Sequence, residues 1–262
     1  MKQNGKRRLL PLLLTAAVTT MSAASWMTVY GAENPDQEIV ILYTNDVHCG
    51  VDDNIGYAGL ALYEKQMLAE TPYVALVDAG DATQGSPIGT LSEGEDIVAI
   101  MNQVGYDFAV PGNHEFDYGM EQFLRLADQL ECGYYSCNFT DLRTGETVFS
   151  PYKMMDFGET QVALVGASTP ESFTKSTPKY FQDGAGNYIY GFCEDASGQA
   201  MYTRVQSTVD EARQAGADYV ILVGHLGNAG ITERWSSAAI VANTTGIDAV
   251  IDGHSHEAVP SA

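Results

Sequence analysis

This 262-residue chain is short of positive charge, with thirteen Lys and Arg against thirty-four Asp and Glu and a net charge of -21. Such a surface repels DNA, RNA and anionic lipid headgroups, which argues against a polyanion partner. An anionic substrate would then need a strong local positive charge, which bound metal ions supply. Cysteine is scarcer still. Cys49, Cys132, Cys137 and Cys193 are too few for a disulfide scaffold at this length. Cys132 and Cys137 are spaced either to pair in an oxidising compartment or to stand as buried free thiols. Beyond the N-terminus no apolar run is long enough to cross a bilayer, and there are neither internal repeats nor low-complexity tracts. Histidine is rare too, at five residues, and where those five lie is the most telling feature of the chain.

The N-terminus reads as a signal peptide over residues 1–32. Lys2, Lys6, Arg7 and Arg8 precede an apolar run from Leu9 to Met21, then small residues with cleavage points after Ala24 or Ala32. Removal of that leader takes the net charge from -21 to -25, since it carries four positive and no negative residues. Residues 33–262 are enough for one large domain with a sizeable core. The mature protein is expected to be exported.

From Glu38 onward, strand and helix patterns alternate. Continuous β-branched runs at Ile39–Tyr43, Tyr73–Val77 and Tyr219–Val223 predict strands buried on two faces, with shorter ones at Asp107–Val110, Tyr134–Asn138 and Ala249–Ile251. Helices are expected over Gly56–Ala69, Asp96–Val104, Gln122–Leu130, Met201–Ala215 and Trp235–Ala242. Residues 147–167 suggest a hairpin with Val162–Val165 as its core. Ser168–Gly198, rich in Pro, Gly, Ser and aromatics, reads as a long surface loop with a functional role open to it.

All five histidines fall in blocks at the ends of these strands: Asp46-Val47-His48, Gly112-Asn113-His114-Glu115, Gly224-His225 and Gly253-His254-Ser255-His256, with Gly80-Asp81 as a further block. Loops beyond the carboxyl ends of strands are where ligands collect in α/β layouts. Nitrogen and oxygen donors without cysteine suit zinc, manganese, iron and similar divalent metals. Asp46 and His48, like His254 and His256, are two apart, so on extended backbone each pair would point one way and bite one metal. The same alternation would turn Cys49 away. Glycine before Asp81, Asn113, His225 and His254 lets the backbone bend and approach a ligand. Seven candidate ligands (Asp46, His48, Asp81, Asn113, His225, His254, His256) exceed one tetrahedral metal. They suit two metals sharing the two oxygens of Asp81, the arrangement that clamps an in-line phosphoryl displacement. His114, with Asp117 three residues on to fix its tautomer, is expected to act as general acid or transition-state stabiliser, metal-bound hydroxide being the nucleophile. Glu115 is assigned to structure rather than chemistry.

Taken together, Thr44-Asn45-Asp46-Val47-His48, Gly80-Asp81-Ala82-Thr83-Gln84-Gly85-Ser86, Gly112-Asn113-His114-Glu115-Phe116-Asp117, Gly224-His225-Leu226-Gly227 and Asp252-Gly253-His254-Ser255-His256 resemble the calcineurin-like metallophosphoesterases. Within them they resemble the exported 5′-nucleotidase and UDP-sugar hydrolase family, over about residues 38 to 257. The resemblance implies an α/β fold, a four-layer α-β-β-α sandwich, C-terminally truncated because the family's substrate domain is absent here. It implies one metal on Asp46, His48, Asp81 and His256, a second on Asp81, Asn113, His225 and His254, and a His114–Asp117 catalytic dyad. The position of His256 is a glutamine or asparagine in some relatives. The cofactors expected are two divalent ions (Zn, Mn, Co or Fe), and the partner is a small nucleotide or phosphate ester rather than a nucleic acid polymer. The implied reaction is hydrolysis of nucleoside 5′-monophosphates. A 2′,3′-cyclic phosphodiesterase/3′-nucleotidase, a UDP-sugar hydrolase, a thiosulfate-ester hydrolase and a non-catalytic metal-binding fragment are the alternatives.

Overall fold

A computed structural model describes residues 38–257 and, in addition, the backbone of Leu14–Thr15 and Ser25–Val29. Five strands form the first sheet in sequence order: β1 (Leu14–Thr15), β2 (Ser25–Val29), β3 (Ile39–Thr44), β4 (Val74–Asp78) and β5 (Phe108–Ala109). β3, β4 and β5 run parallel, whereas β2 lies antiparallel to β3 with Trp26 opposite Leu42. Between them come α1 (Gly56–Glu70), α2 (Pro87–Ser92) and α3 (Glu95–Val104), with α4 (Met120–Gln129) after β5. Further along are β6 (Thr140–Asp141), β7 (Tyr152–Phe157), β8 (Thr160–Ser168), α5 (Ser172–Lys175), β9 (Tyr190–Gly191), α6 (Gln199–Gln214), β10 (Tyr219–His225), α7 (Ser237–Ala242) and β11 (Ala249–Asp252). The second sheet runs β11-β10-β8-β7, parallel except for the β7–β8 hairpin, while β6 pairs with β9 alone.

Alternation along the strands sorts their side chains into three cores, one per layer boundary. Ile41, Val77 and Phe108 of the first sheet meet Leu164, Ile221 and Val223 of the second in the central core. The opposite faces carry Val40, Leu42 and Leu76 against Leu60 of α1 and Ile97 and Met101 of α3. On the far side, Ala163, Val165, Val220 and Leu222 pack against Met201, Val205 and Val209 of α6. Three cores between four layers make the expected α-β-β-α sandwich, and burial on both faces explains why these strands read as unbroken apolar runs.

Some local expectations need correction. The strand placed over Tyr134–Asn138 is reduced to isolated bridges, Ala109 with Tyr134 and Tyr135 with Ser150. There the successive backbone N–H groups of Tyr135, Ser136 and Cys137 go to three different segments, at the Ala109, Ser150 and Gly166 carbonyls, so no single ladder continues. The stretch from Ser168 to Gly198 is mostly irregular as expected, yet it is tied down by Phe173, Phe181 and Phe192 packing around Phe116. The expected signal peptide, residues 1–32, lies outside the described residues apart from the backbone of β1 and β2, which pair with one another and, through β2, with β3. All four cysteines are free, with Cys137 in the α6 core and Cys132 at the margin of the α1–α3 core. Among the described residues no helix is long and apolar enough to cross a membrane.

Candidate metal centre

The parallel strands end on the same side of the sandwich, and the loops that leave them converge there. Asp46 and His48 follow β3, Asp81 follows β4, Asn113 and His114 follow β5, His225 closes β10, and His254 and His256 follow β11. The β3 and β4 loops are laced together by backbone bonds from Asp46 N–H to Gly80 C=O (2.9 Å), His48 N–H to Asp81 C=O (2.9 Å) and Cys49 N–H to Ala82 C=O (3.0 Å). Gly80 has φ +93°, and a Cβ there would stand 2.7 Å from Gly112 N and 2.8 Å from His225 Nδ1. Only glycine lets these loops approach so closely.

Among the described residues, five of the nine non-glycine residues with left-handed backbone are candidate ligands: Asp46 (φ 50°), His48 (47°), Asp81 (61°), His254 (81°) and His256 (52°). Such strain clusters at functional sites. It also corrects the extended-pair expectation. The segments after β3 and β11 are turns, so two-residue spacing alone does not decide where each side chain goes; Asp46 and His48 nonetheless share a group. His254 and His256 go to different groups. Cys49, also left-handed, is buried with its thiol toward Ala82 C=O at 3.5 Å, away from the histidines but not because the chain is extended.

Two donor groups result. Asp46, His48 and His256 form one, half-buried to exposed; Asp81, His225 and His254 form the other, largely buried. Asp81 Oδ2 faces both, 3.1 Å from His225 Nε2 and 3.9 Å from His48 Nε2. Its Oδ1 accepts the His114 N–H at 2.8 Å. Asn113 Oδ1 is 3.3 Å from His225 Nε2. In the outer group His256 Nε2 stands 3.3 Å from both His48 Nε2 and Asp46 Oδ1. With bonds of about 2.0–2.1 Å to a tetrahedral ion, neighbouring donor atoms stand roughly 3.3 Å apart. The donor sets therefore fit divalent cations in spacing and in chemistry.

The surroundings orient these donors. His225 Nδ1 donates to Ala79 C=O at 2.8 Å, leaving Nε2 toward Asp81 and Asn113. Burial opposes charge on the Asp81 carboxyl, yet His225 holds it far below its usual range, while Asp81 overcomes the same penalty to raise His225 to about 10. Without a cation the two make an ion pair, and a cation entering must displace the His225 proton. Both oxygens of Asp46 accept the His254 N–H at 3.0 Å, stitching the two groups together.

Three further acids support the site. Glu115, fully buried, accepts from the backbone N–H groups of Asp81 (2.8 Å), Ala82 (2.9 Å), Thr83 (3.2 Å) and Gly112 (2.7 Å). Its structural assignment is thus given content: it locks the Asp81 and Asn113 loops to one another. Asp252 Oδ1 accepts from Leu226, Gly227 and Gly253 N–H and ties the His225 loop to the His254 loop. Glu171 was missed. Its Oε2 lies 3.0 Å from His254 Nε2, and it follows the carboxyl end of β8, the position by which the other residues were found.

His114 stands at the rim, its ring 5.2 Å from that of His48 in an edge-on arrangement. Its Nδ1 and Asp117 Oδ2 are 2.6 Å apart, and this bond raises the His114 pKa above its ordinary value. Phe116, anchored in the aromatic core, fixes the intervening turn.

The family model described as calcineurin-like phosphoesterase matches residues 39–258. The 5′-nucleotidase of Bos taurus is 29% identical over 238 residues, covering 84% of this chain and 38% of that protein. Among solved structures, the calcineurin-like phosphoesterase YfkN of Bacillus subtilis superposes with a TM-score of 0.69 at 25% identity, covering 86% of this chain and 74% of the other. The Thermus thermophilus sulfate thiohydrolase SoxB gives 0.64 at 26% identity, covering 79% and 35%. The chain spans between 32% and 46% of the length of the curated relatives it matches.

Proposed function

Because the chain belongs to the calcineurin-like phosphoesterase family, we propose that it hydrolyses phosphate esters with two divalent ions, and that its substrate is a nucleoside 5′-monophosphate. The observation that carries this reading is Asp81 Oδ2, which faces two cation-sized donor groups at once, with the His114–Asp117 pair at their rim. Asp46, His48, Asp81 and His256 would hold one ion; Asp81, Asn113, His225 and His254 would hold the other. The ions, drawn from zinc, manganese, cobalt or iron, supply Lewis acidity for the phosphoryl oxygens and lower the pKa of water at the site.

The rest is the work of side chains. His114 keeps its proton to higher pH because Asp117 accepts from Nδ1. The proton on Nε2, the ring nitrogen that Asp117 leaves free, would go to the departing 5′ oxygen as its bond to phosphorus breaks and an oxygen from water takes its place, so the nucleoside leaves as an alcohol. Similarity to 5′-nucleotidases supports the choice of nucleotide. A second reading, hydrolysis of a thiosulfate ester, is supported by the similarity to the sulfate thiohydrolase, since the same donors would serve it. We take residues 1–32 as a signal peptide, 33–262 as the phosphoesterase domain and the mature protein as exported.

Phosphate release from AMP and p-nitrophenyl phosphate tests this. Chelation should abolish release, manganese, zinc or cobalt should restore it, and His114→Ala should lower it by about 10²–10⁴-fold. A protein that binds two ions yet releases no phosphate from either ester would overturn the reading.

A further inference from the structure

His254 can serve an ion through only one ring nitrogen at a time, and the structure says which. Nε2 faces Glu171 Oε2 at 3.0 Å, with the His254 and Glu171 side chains only 5% and 10% exposed. A carboxylate accepts and does not donate, so Nε2 carries the hydrogen and Nδ1 is the free donor. Glu171 is itself held. Its other oxygen, Oε1, accepts from Thr232 N–H at 2.7 Å and from the Thr232 hydroxyl at 2.6 Å. Three donors thus converge on one buried carboxylate, which stands apart from the compact group of Asp81, His225 and His254. Thr232 belongs to the loop after β10 and Glu171 to the segment after β8, so the contact joins two otherwise separate loops to His254.

We propose that Glu171 is a positioning residue of the buried metal site, fixing His254 as the Nε2–H tautomer with Nδ1 as its donor atom, and that Thr232 holds Glu171 in place. This rests on the two-ion reading above. The physical warrant is general: a carboxylate behind a metal-bound imidazole sets its tautomer, orients the ring and strengthens it as a donor, and loss of such a partner weakens metal binding by about 10–100-fold. The outer group contains no contact to Glu171, so the effect is selective for one ion.

The test uses the full chain stripped of metal, wild type, Glu171→Ala, Thr232→Val and His256→Ala. Titration with zinc against a chromophoric chelator resolves the two binding events, and His256→Ala identifies the outer one. Glu171→Ala should weaken the buried event by about 10–100-fold and leave the outer one unchanged. Thr232→Val, a milder change that keeps the carboxylate, should weaken the buried event by a smaller factor. Long-range proton–nitrogen correlation spectra of the metal-free protein give a second readout: His254 should be the Nε2–H tautomer in wild type and a tautomer mixture in Glu171→Ala. Unchanged zinc affinity together with an unchanged tautomer in Glu171→Ala would overturn the proposal. A wild-type chain that fails to take up two ions would instead overturn the two-ion reading, while the tautomer measurement would still decide the role of Glu171.

Discussion

The two donor groups differ more in their surroundings than in their ligands. In the buried group every member is fixed from behind: His225 by Ala79 C=O, His254 by Glu171, and Asp81 by the His114 N–H. In the outer group His48 is fixed through Nδ1 at Gln84 C=O, 3.1 Å away, whereas the His256 side chain is 58% exposed and its Nε2 contacts only fellow donors. The lesson is that one pocket is built before a cation arrives and the other is completed by it. Preorganised donors lose little freedom on binding, so the buried site should hold its ion more tightly.

The largest perturbation removes the element common to both groups. Glu115→Ala leaves four buried backbone N–H groups and the Thr83 hydroxyl without their acceptor. Each unmet buried donor costs about 1–3 kcal/mol, part of it recovered by relaxation. A loss of about 4 kcal/mol or more is expected, read as a fall in Tm of roughly 10 °C or more, with both zinc-binding events weakened. Retention of the buried event with loss of the outer one would break the comparison, because it would mean the buried pocket does not depend on the Asp81 loop.

Next come changes confined to one side. His225→Ala removes a fully buried ring and leaves Asp81 without the partner that holds it charged. It should abolish the buried event and cost stability on the scale of a broken buried ion pair, about 3–5 kcal/mol. His256→Ala should weaken the outer event alone and move Tm by no more than a surface substitution does, within about 0.5 kcal/mol. Calorimetry of the metal-free variants separates the two. Equal stability losses would remove the distinction between a built pocket and an assembled one.

Much of this site was legible because glycine followed by a polar donor recurs at strand ends, and strand ends of parallel sheets share one side. Asp81, Asn113, His225 and His254 follow from that logic alone. What the pattern concealed was direction. Period-two reasoning assumes extended backbone, yet Asp46, His48, His254 and His256 are left-handed, and no local rule on a single sequence announces that. Glu171 escaped for a different reason: Thr-Pro-Glu at the head of an irregular stretch lacks the glycine signal, and its partner Thr232 lies 61 residues away. The strand expected at Tyr134–Asn138 failed because its successive backbone N–H groups are divided among Ala109, Ser150 and Gly166 instead of going to one partner strand.

The smallest effect calibrates the others from outside both groups. Glu64, on α1, is half-buried near Asp107, and desolvation, with that neighbouring carboxylate, raises its pKa from 4.5 to about 7. A raised folded pKa means the folded chain binds the proton that the unfolded chain has released. The associated stability is therefore fully present below pH 4.5 and lost as pH rises through about 7. Glu64→Gln removes the titration, so the variant should match wild type at pH 4.5 and exceed it at pH 8. Solvent screening of a half-exposed group limits the gain to about 1 kcal/mol or less. Thermal melts at pH 4.5, 6 and 8 read the difference, and zinc titrations should find both events at wild-type strength. A change in either event would mean that charge on the helix layer reaches the donors, and the contrast between the groups would then need a long-range electrostatic contribution as well as their immediate contacts.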